Sequence, residues 1–296
     1  MPSFDRRSSK RLLVSFFFAA ALLSASGSTS LAAQTDYYNL DAGRPVLIED
    51  AYPTERYAFE LQLAPLRLER ESGGVYHWGV EPEIAYGILP RTQVEVGVPV
   101  VFRDVGGDGE LGVAGIDLSV LHNLNVETSG LPAFGIAADV LLPVGEFAPA
   151  RVYPSLKGIV TRTVGFARFH VNGQVTFGPD ADPLRDVQPL PAADDIAVAA
   201  PEDPHLEEVS RWLAGVAVDR TLPLKSMLLI ADVYARQPIV ADEDVEWNAG
   251  AGVRYQLSPR LAIDGGVGRR LTGDPGWFVT FGTAYAFAIR ALMPGG

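Results

Sequence analysis

The chain has 296 residues, of which 48% are apolar, with no cysteine and a formal net charge of −12. The acidic balance excludes nucleic acid as a partner, since that demands a basic face. The missing thiols exclude a disulfide framework and any lipid anchor on cysteine.

The chain opens with Arg6, Arg7, Lys10 and Arg11, then an apolar run from Leu12 to Leu23, then small residues to Ala32. A basic head, a short apolar run and a small-x-small site after Ala32 predict a cleaved export signal over 1–32. The run falls short of the ~20 residues a spanning helix needs. Cleavage removes four bases and one acid, which leaves 20 bases against 35 acids. Residues 33–56 are polar and irregular, with little to pack; they are expected as an N-terminal periplasmic segment able to plug a pore mouth.

From Tyr57 onward, apolar residues fall on alternate positions. A first strand sets Tyr57, Phe59, Leu61 and Leu63 against Glu60 and Gln62, with a bulge expected at Pro65. A second sets Trp78, Val80, Ile84, Tyr86 and Ile88 against His77, Glu81 and Glu83. A third sets Val94, Val96, Val98, Val100 and Phe102 against Gln93, Glu95, Gly97 and Arg103. A fourth and fifth follow around Ile116–Val120 and Phe134–Leu142, and a sixth of ambiguous parity around Leu156–Thr163. The seventh alternates Phe169, Val171, Val175 and Phe177 with Arg168, His170, Asn172 and Gln174. Strands eight to twelve span Trp212–Leu222, Met227–Gln237, Trp247–Leu257, Leu261–Arg270 and Trp277–Phe287.

Period-2 patterning over about ten residues is the length a tilted strand needs to cross a bilayer. Three matching turns are short (89–92, 222–225, 257–260). The intervening connections are longer or richer in Gly and acids (105–111, 145–154, 178–210, 238–246, 272–276). Short turns alternating with long loops predict an all-β, antiparallel up-and-down transmembrane barrel of about twelve strands over 57–288, with a tail at 289–296. In such a barrel lipid covers the apolar face and closure leaves no unpaired backbone edge.

All four tryptophans (Trp78, Trp212, Trp247 and Trp277) fall at one end of alternate strands. Tyr86, Tyr255 and Tyr285 fall at the other end, and Phe102 and Phe177 join the tryptophans. Together they are the expected interfacial girdle.

The candidate lumen residues are Glu60, Glu81, Glu83, Glu95, Arg103, Asp117 and Asp139 on strands one to five. Arg168, His170, Asp219, Asp232, Arg236, Arg254, Asp264 and Arg270 follow on the later strands. Two readings stay open: an acidic wall facing a more basic one across a narrow pore, or charges that pair and fill the interior.

Several stretches carry a family resemblance. They are Arg44-Pro45 with Glu49-Asp50-Ala51 ahead of Tyr57-Ala58-Phe59-Glu60-Leu61, Leu142-Pro143-Val144-Gly145, and Arg168-Phe169-His170-Val171-Asn172. Ala249-Gly250-Ala251-Gly252-Val253-Arg254-Tyr255 and Thr272-Gly273-Asp274-Pro275-Gly276-Trp277 complete them. On these the chain resembles the outer-membrane barrels labelled "MetA-pathway of phenol degradation". The resemblance implies passive uptake of small, often hydrophobic or aromatic molecules. It implies lipid and lipopolysaccharide around the barrel, the barrel assembly machinery as a partner, and no cofactor. Such barrels usually end on an aromatic residue, whereas here Phe287 is followed by Ala288 to Gly296.

Two other classes compete with this one. Outer-membrane phospholipase A also resembles a twelve-stranded barrel, and its chemistry needs serine and histidine in reach on the lipid side. His122 is the one histidine of outward parity, and Ser119 and Ser129 offer it no matched neighbour. There is no HExxH, P-loop or GxSxG motif, so neither a metal site nor an enzyme is expected. The third class is an adhesive barrel acting through the acidic loop 178–210.

Overall fold

The computed structural model describes residues 40, 44–70, 76–105, 108–149, 151–180, 209–240, 243–273 and 276–293. The expected export signal, 1–32, and most of the acidic loop 178–210 lie outside the described residues. The described residues all belong to one compact unit, Ala33–Gly296.

Fifteen strand segments follow one another: β1 (Ala58–Arg70), β2 (Tyr76–Val80), β3 (Glu83–Leu89), β4 (Thr92–Gly97), β5 (Val100–Val105), β6 (Asp108–Val113) and β7 (Ile116–Asn125). Then come β8 (Ala133–Leu142), β9 (Tyr153–Val164), β10 (Ala167–Thr176), β11 (Ser210–Leu222), β12 (Met227–Pro238), β13 (Glu246–Ser258), β14 (Leu261–Arg270) and β15 (Trp277–Ala288). Six of them form three interrupted staves. β1 pairs with β2 through Leu66–Arg70 and with β3 through Phe59–Gln62, so β2 and β3 are one stave. β4 with β5, and β6 with β7, continue each other in the same way. The count is therefore twelve staves, each antiparallel to its neighbours, and β15 closes on β1 from Ala58↔Ala288 to Arg70↔Trp277.

The interruptions have local causes. Pro82 and Pro99 cannot donate to a ladder, and Gly115 adopts a φ of +139°. Single bonds bridge the gaps, Val98 N–H to Pro82 O at 3.1 Å and Ala114 N–H to Pro99 O at 2.9 Å. The bulge expected at Pro65 is present as one extra residue between Leu63 and Leu66 against β15. The stretch 105–111, expected as a loop, is largely strand, with β5 and β6 paired up to Val105↔Asp108. The tail turns through a short 3-10 helix, Arg290–Leu292.

Alternation decides which side chains face out. Val171, Leu156 and Val267 are 47, 56 and 58% exposed on the outer surface, as are Phe169, Phe281 and Leu257 to similar extents. Leaving such a belt in water would cost about 25 cal/mol per Å², and a hydrocarbon surround removes that cost. The opposite parity is buried: Gln62, Ala85, Asn123, Thr161, His170, Asp219, Asp264 and Ala284 all fall below 5% exposure. β9 has ambiguous parity in sequence because its inner face carries the apolar Ile159 beside Ser155 and Thr161.

Candidate functional site

The interior is occupied by the chain's own N-terminal segment. Followed back from β1, residues 57 to 44 run around the inside of the wall. Tyr57 N–H donates to Gly87 O of β3 at 2.7 Å, and Thr54 N–H donates to Gln93 Oε1 of β4 at 2.7 Å. Ala51 O accepts from Asn123 Nδ2 of β7 at 2.8 Å, Ala51 Cα lies against Gly135 of β8, and Ala51 N–H donates to Thr161 Oγ1 of β9 at 3.0 Å. On β10, Asn172 takes both Glu49 N–H and Glu49 O at 2.9 Å each.

Ile48 lies over Gly215 of β11, and Leu47 and Ile48 N–H both donate to Asp232 Oδ2 of β12 at 2.9 and 3.4 Å. Pro45 sits on Gly252 of β13 and Gly266 of β14, and its carbonyl accepts from Thr280 Oγ1 of β15 at 3.0 Å. Arg44 then passes Gly282 and comes within 3.6 Å of Glu83 on β3, the segment that Glu55 also packs against. Read from residue 44 to 57, the path visits the staves in reverse order and closes on itself as a hoop.

The dimensions fit. Thirteen extended residues reach about 40 Å, the circumference of a circle of about 6 Å radius. Twelve tilted strands spaced ~4.8 Å enclose a backbone circle of about 12 Å radius. One layer of side chains fits between the two. Buried backbone groups must be paired, and the wall supplies a short polar side chain stave after stave. Where the hoop lies closest, the wall is glycine. A Cβ on Gly266 would lie 2.2 Å from Pro45 O, and one on Gly87 2.0 Å from Glu55 O.

Residues 33–56 were expected to have little to pack, and the hoop corrects this. Leu40, Val46 and Ile48 cluster with Ala217, Leu228, Ile230 and Tyr234; Ala51 clusters with Leu121, Ala133, Ala137 and Ile159. The apolar inner faces of β9 and β12 exist to meet it. Nor does the segment lie flat across a mouth. It starts beside the short turns of β3 and β4 and climbs to mid-strand at β12–β14.

The hoop carries its own charges to complementary places. Glu49 pairs with Lys157 of β9 at 2.5 Å. Asp50 accepts Leu40 N–H at 3.2 Å and Tyr52 N–H at 2.9 Å, and lies 3.5 Å from Arg168. Burial pushes the Asp50 carboxyl up to about 6, against the opposing pull of Arg168, His170 and the two N–H groups. Arg168 also grips Asp219 at 2.8 Å, and Asp219 takes His170 Nε2 at 2.7 Å. His170 Nδ1 meets Thr161 Oγ1 at 3.0 Å, the same oxygen that receives Ala51 N–H. Arg44, on the far side, stands beside Asp264, which pairs with Arg254 at 3.5 Å.

The candidate lumen residues therefore divide. Glu83, Arg168 and Asp232 meet the hoop directly; Asp219 is bound to Arg168 and His170 to Asp219, while Asp264, near Gly282 as Arg44 is, pairs with Arg254. Asp139 accepts from Ser119 and Ser155, Glu95 from Gln93, and Arg236 and Arg270 share Glu246. Glu60, Glu81 and Asp117 are half-buried on β1, beside Pro82 and on β7; the side chain of Arg103 lies outside the described residues. Acidic and basic walls do not confront each other across an empty lumen, because the hoop stands between them. Besides Asp232, the residues that hold its backbone are Gln93, Asn123, Thr161, Asn172 and Thr280, all uncharged. A search for charges passes over them, although alternation alone turns Gln93 and Asn172 inward.

On the outer surface, Trp78 stacks on Phe102 at 5.1 Å, Trp212 Nε1 donates to Gln237, and Trp247 and Trp277 are exposed. Each lies near the start of its stave, at the end opposite the short turns. Phe177 follows β10 at the same end, whereas Tyr86, Tyr255 and Tyr285 lie toward the short turns, with Phe59 and Tyr86 stacked at 4.4 Å. His122 is held by Thr92 Oγ1 at 2.8 Å.

Fold and site define a closed, twelve-staved antiparallel barrel with an apolar exterior and an occupied interior. The chain is similar to the COG4313 outer membrane channel from Pseudomonas putida F1, at 10% identity over 78% of this chain and 94% of that one, with a TM-score of 0.50. It also matches a KdgM porin in complex with disordered oligogalacturonate, at 9% identity over 77% and 99%, with a TM-score of 0.49. A third match is outer membrane phospholipase A from Escherichia coli, at 10% identity over 79% and 97%, with a TM-score of 0.41. The first of these likenesses shows a shared barrel fold. No family model matches the chain, and neither does any curated protein.

Proposed function

We propose that the chain is an outer-membrane channel for small molecules, closed at rest by residues 44–56. The observation that carries this reading is the glycine floor beneath the hoop, at Gly215, Gly252, Gly266 and Gly282. A barrel filled by its own wall would place large side chains there. This wall keeps room for a length of backbone. The shared fold with a protein described as an outer membrane channel supports the same reading.

In this reading residues 1–32 direct export, the short turns face the periplasm, and the tryptophans mark the outer interface beside lipopolysaccharide. The barrel assembly machinery inserts the chain, and the family resemblance to the MetA-pathway barrels supports small aromatic or hydrophobic solutes. Displacing the hoop bares the acidic side chains of β1–β8 opposite Lys157 and Arg168 and opens the lumen. Planar-bilayer conductance tests this. Wild type is expected to be silent or to flicker, and a chain lacking residues 34–56 to conduct. A deletion variant that inserts and stays silent overturns the proposal. Liposome flux of aromatic acids against neutral aromatics then sorts the solutes.

A further inference from the structure

We propose that the inner wall is a binding site for an extended peptide, which residues 44–56 occupy in cis and a separate chain can occupy in trans. Most contacts to the hoop read backbone, not side chains. Thr280, Asp232, Asn172, Thr161, Asn123 and Gln93 between them bind carbonyls or N–H groups of Pro45, Leu47, Ile48, Glu49, Ala51 and Thr54. Asn172 treats Glu49 as a neighbouring strand would, taking its donor and its acceptor together. Any extended polypeptide offers the same groups at the same spacing.

Selectivity comes from two places. The glycine floor at Gly252 and Gly266 admits backbone closely. Lys157 then selects an acid at one position, met here by Glu49. The ligand class is thus an extended peptide with a central acidic residue. The tether gives the cis occupant an effective concentration in the millimolar range, so a trans peptide enters once the cis segment is weakened.

The chain has no native cysteine, which makes a cross-link unambiguous. Gly135 lies beneath Ala51, where an added Cβ would be 3.3 Å from the alanine Cβ, close to disulfide spacing. The full-length chain carrying Glu49→Lys, Asp50→Lys and Gly135→Cys, with heat-modifiable gel mobility reporting the folded barrel, is mixed with a synthetic 44–56 peptide bearing cysteine at position 51. A mixed disulfide is expected. It should form at least about tenfold faster than with the same peptide N-methylated at Leu47, Glu49 and Ala51, which loses three hydrogen bonds. Should the charge reversals prevent folding, the neutral pair Glu49→Gln and Asp50→Asn, which changes the cis segment and leaves the wall intact, replaces them. Absence of the cross-link in a folded barrel overturns the inference, and so do equal rates for the two peptides. The readout is occupancy, so the result stands whether or not the barrel conducts.

Discussion

Asn172 holds Glu49 by both of its backbone groups, the side-chain oxygen accepting the N–H and the side-chain nitrogen donating to the carbonyl, each at 2.9 Å. Replacing Asn172 by leucine keeps the branching of the side chain and removes both bonds, which leaves two buried backbone groups unpaired at a cost of about 2–3 kcal/mol. A single cysteine at Val46, buried in the hoop's apolar cluster, reports undocking through its rate of maleimide labelling. Asn172→Leu should speed that labelling by about 30-fold or more, with the barrel's heat-modifiable mobility unchanged. An unaltered rate would mean that Asn172 does not hold the hoop.

The Glu49–Lys157 pair is the second fastening, with both side chains 11% exposed. Lys157→Met strands a buried carboxylate, and breaking such a pair costs about 3–5 kcal/mol. Adding Glu49→Gln should recover part of the loss. Recovery stays incomplete because Lys157 also lies within the field of Asp139 and Asp117. The double-mutant cycle should return a coupling above about 1 kcal/mol; additive effects would place the pair outside the docking energetics.

Docking should respond to pH through Asp50. A free segment ionises this carboxyl near ~3.9, and burial raises it to about 6 when docked. Between those values the docked state holds a proton that the free state has lost. Docking is therefore at full strength below pH ~4, weakens by up to about 3 kcal/mol as pH rises to 6, and levels off above. Labelling of the cysteine at Val46, corrected for thiolate fraction, should climb from pH 4 to 6.5 and then flatten. Asp50→Asn should remove the climb. A fall in labelling over that range contradicts the assignment.

The barrel was legible in the sequence because lipid imposes one rule on every strand, apolar outward at each second residue. That rule located β10, β13, β14 and β15 almost to the residue. It located β12 as well, at Met227–Pro238, although Leu228, Ile230 and Tyr234 face inward there and make both its faces apolar. The ring closure of residues 44–56 left no periodic trace, since its backbone is held by side chains on six different segments rather than by one neighbouring strand. The cue that was present is the recurrence of small polar and glycine residues at inward parity, which a charged or filled interior does not require.

The glycine floor gives a sharp contrast within one strand. Gly266 faces in, where a Cβ would lie 2.2 Å from Pro45 O; Gly265 faces out, where the nearest atom would be Thr280 O at 3.6 Å. Gly266→Val should therefore free the hoop, raising cysteine labelling at Val46 as much as the loss of a fastening does. Gly265→Val should leave it docked and keep the outer surface apolar. Equal behaviour of the two variants would remove steric approach as the reason for glycine on the inner wall.

The lipid surround makes its own demand, and it depends on depth. Val171 lies at the middle of β10 and faces out at 47% exposure; Phe166, 77% exposed, sits at the turn that precedes the same strand. Arginine on the lipid face costs about 2–4 kcal/mol at the bilayer midplane and about 0–1 near an interface. Urea titrations of folding into phosphatidylcholine vesicles should therefore show Val171→Arg losing several times more stability than Phe166→Arg. In a barrel whose outer surface met water, both arginines would be solvated and surface substitutions of this kind would stay within about 0.5 kcal/mol. The ratio of the two losses thus measures whether hydrocarbon covers the middle of the strand, and near-equal losses would take the barrel out of the membrane.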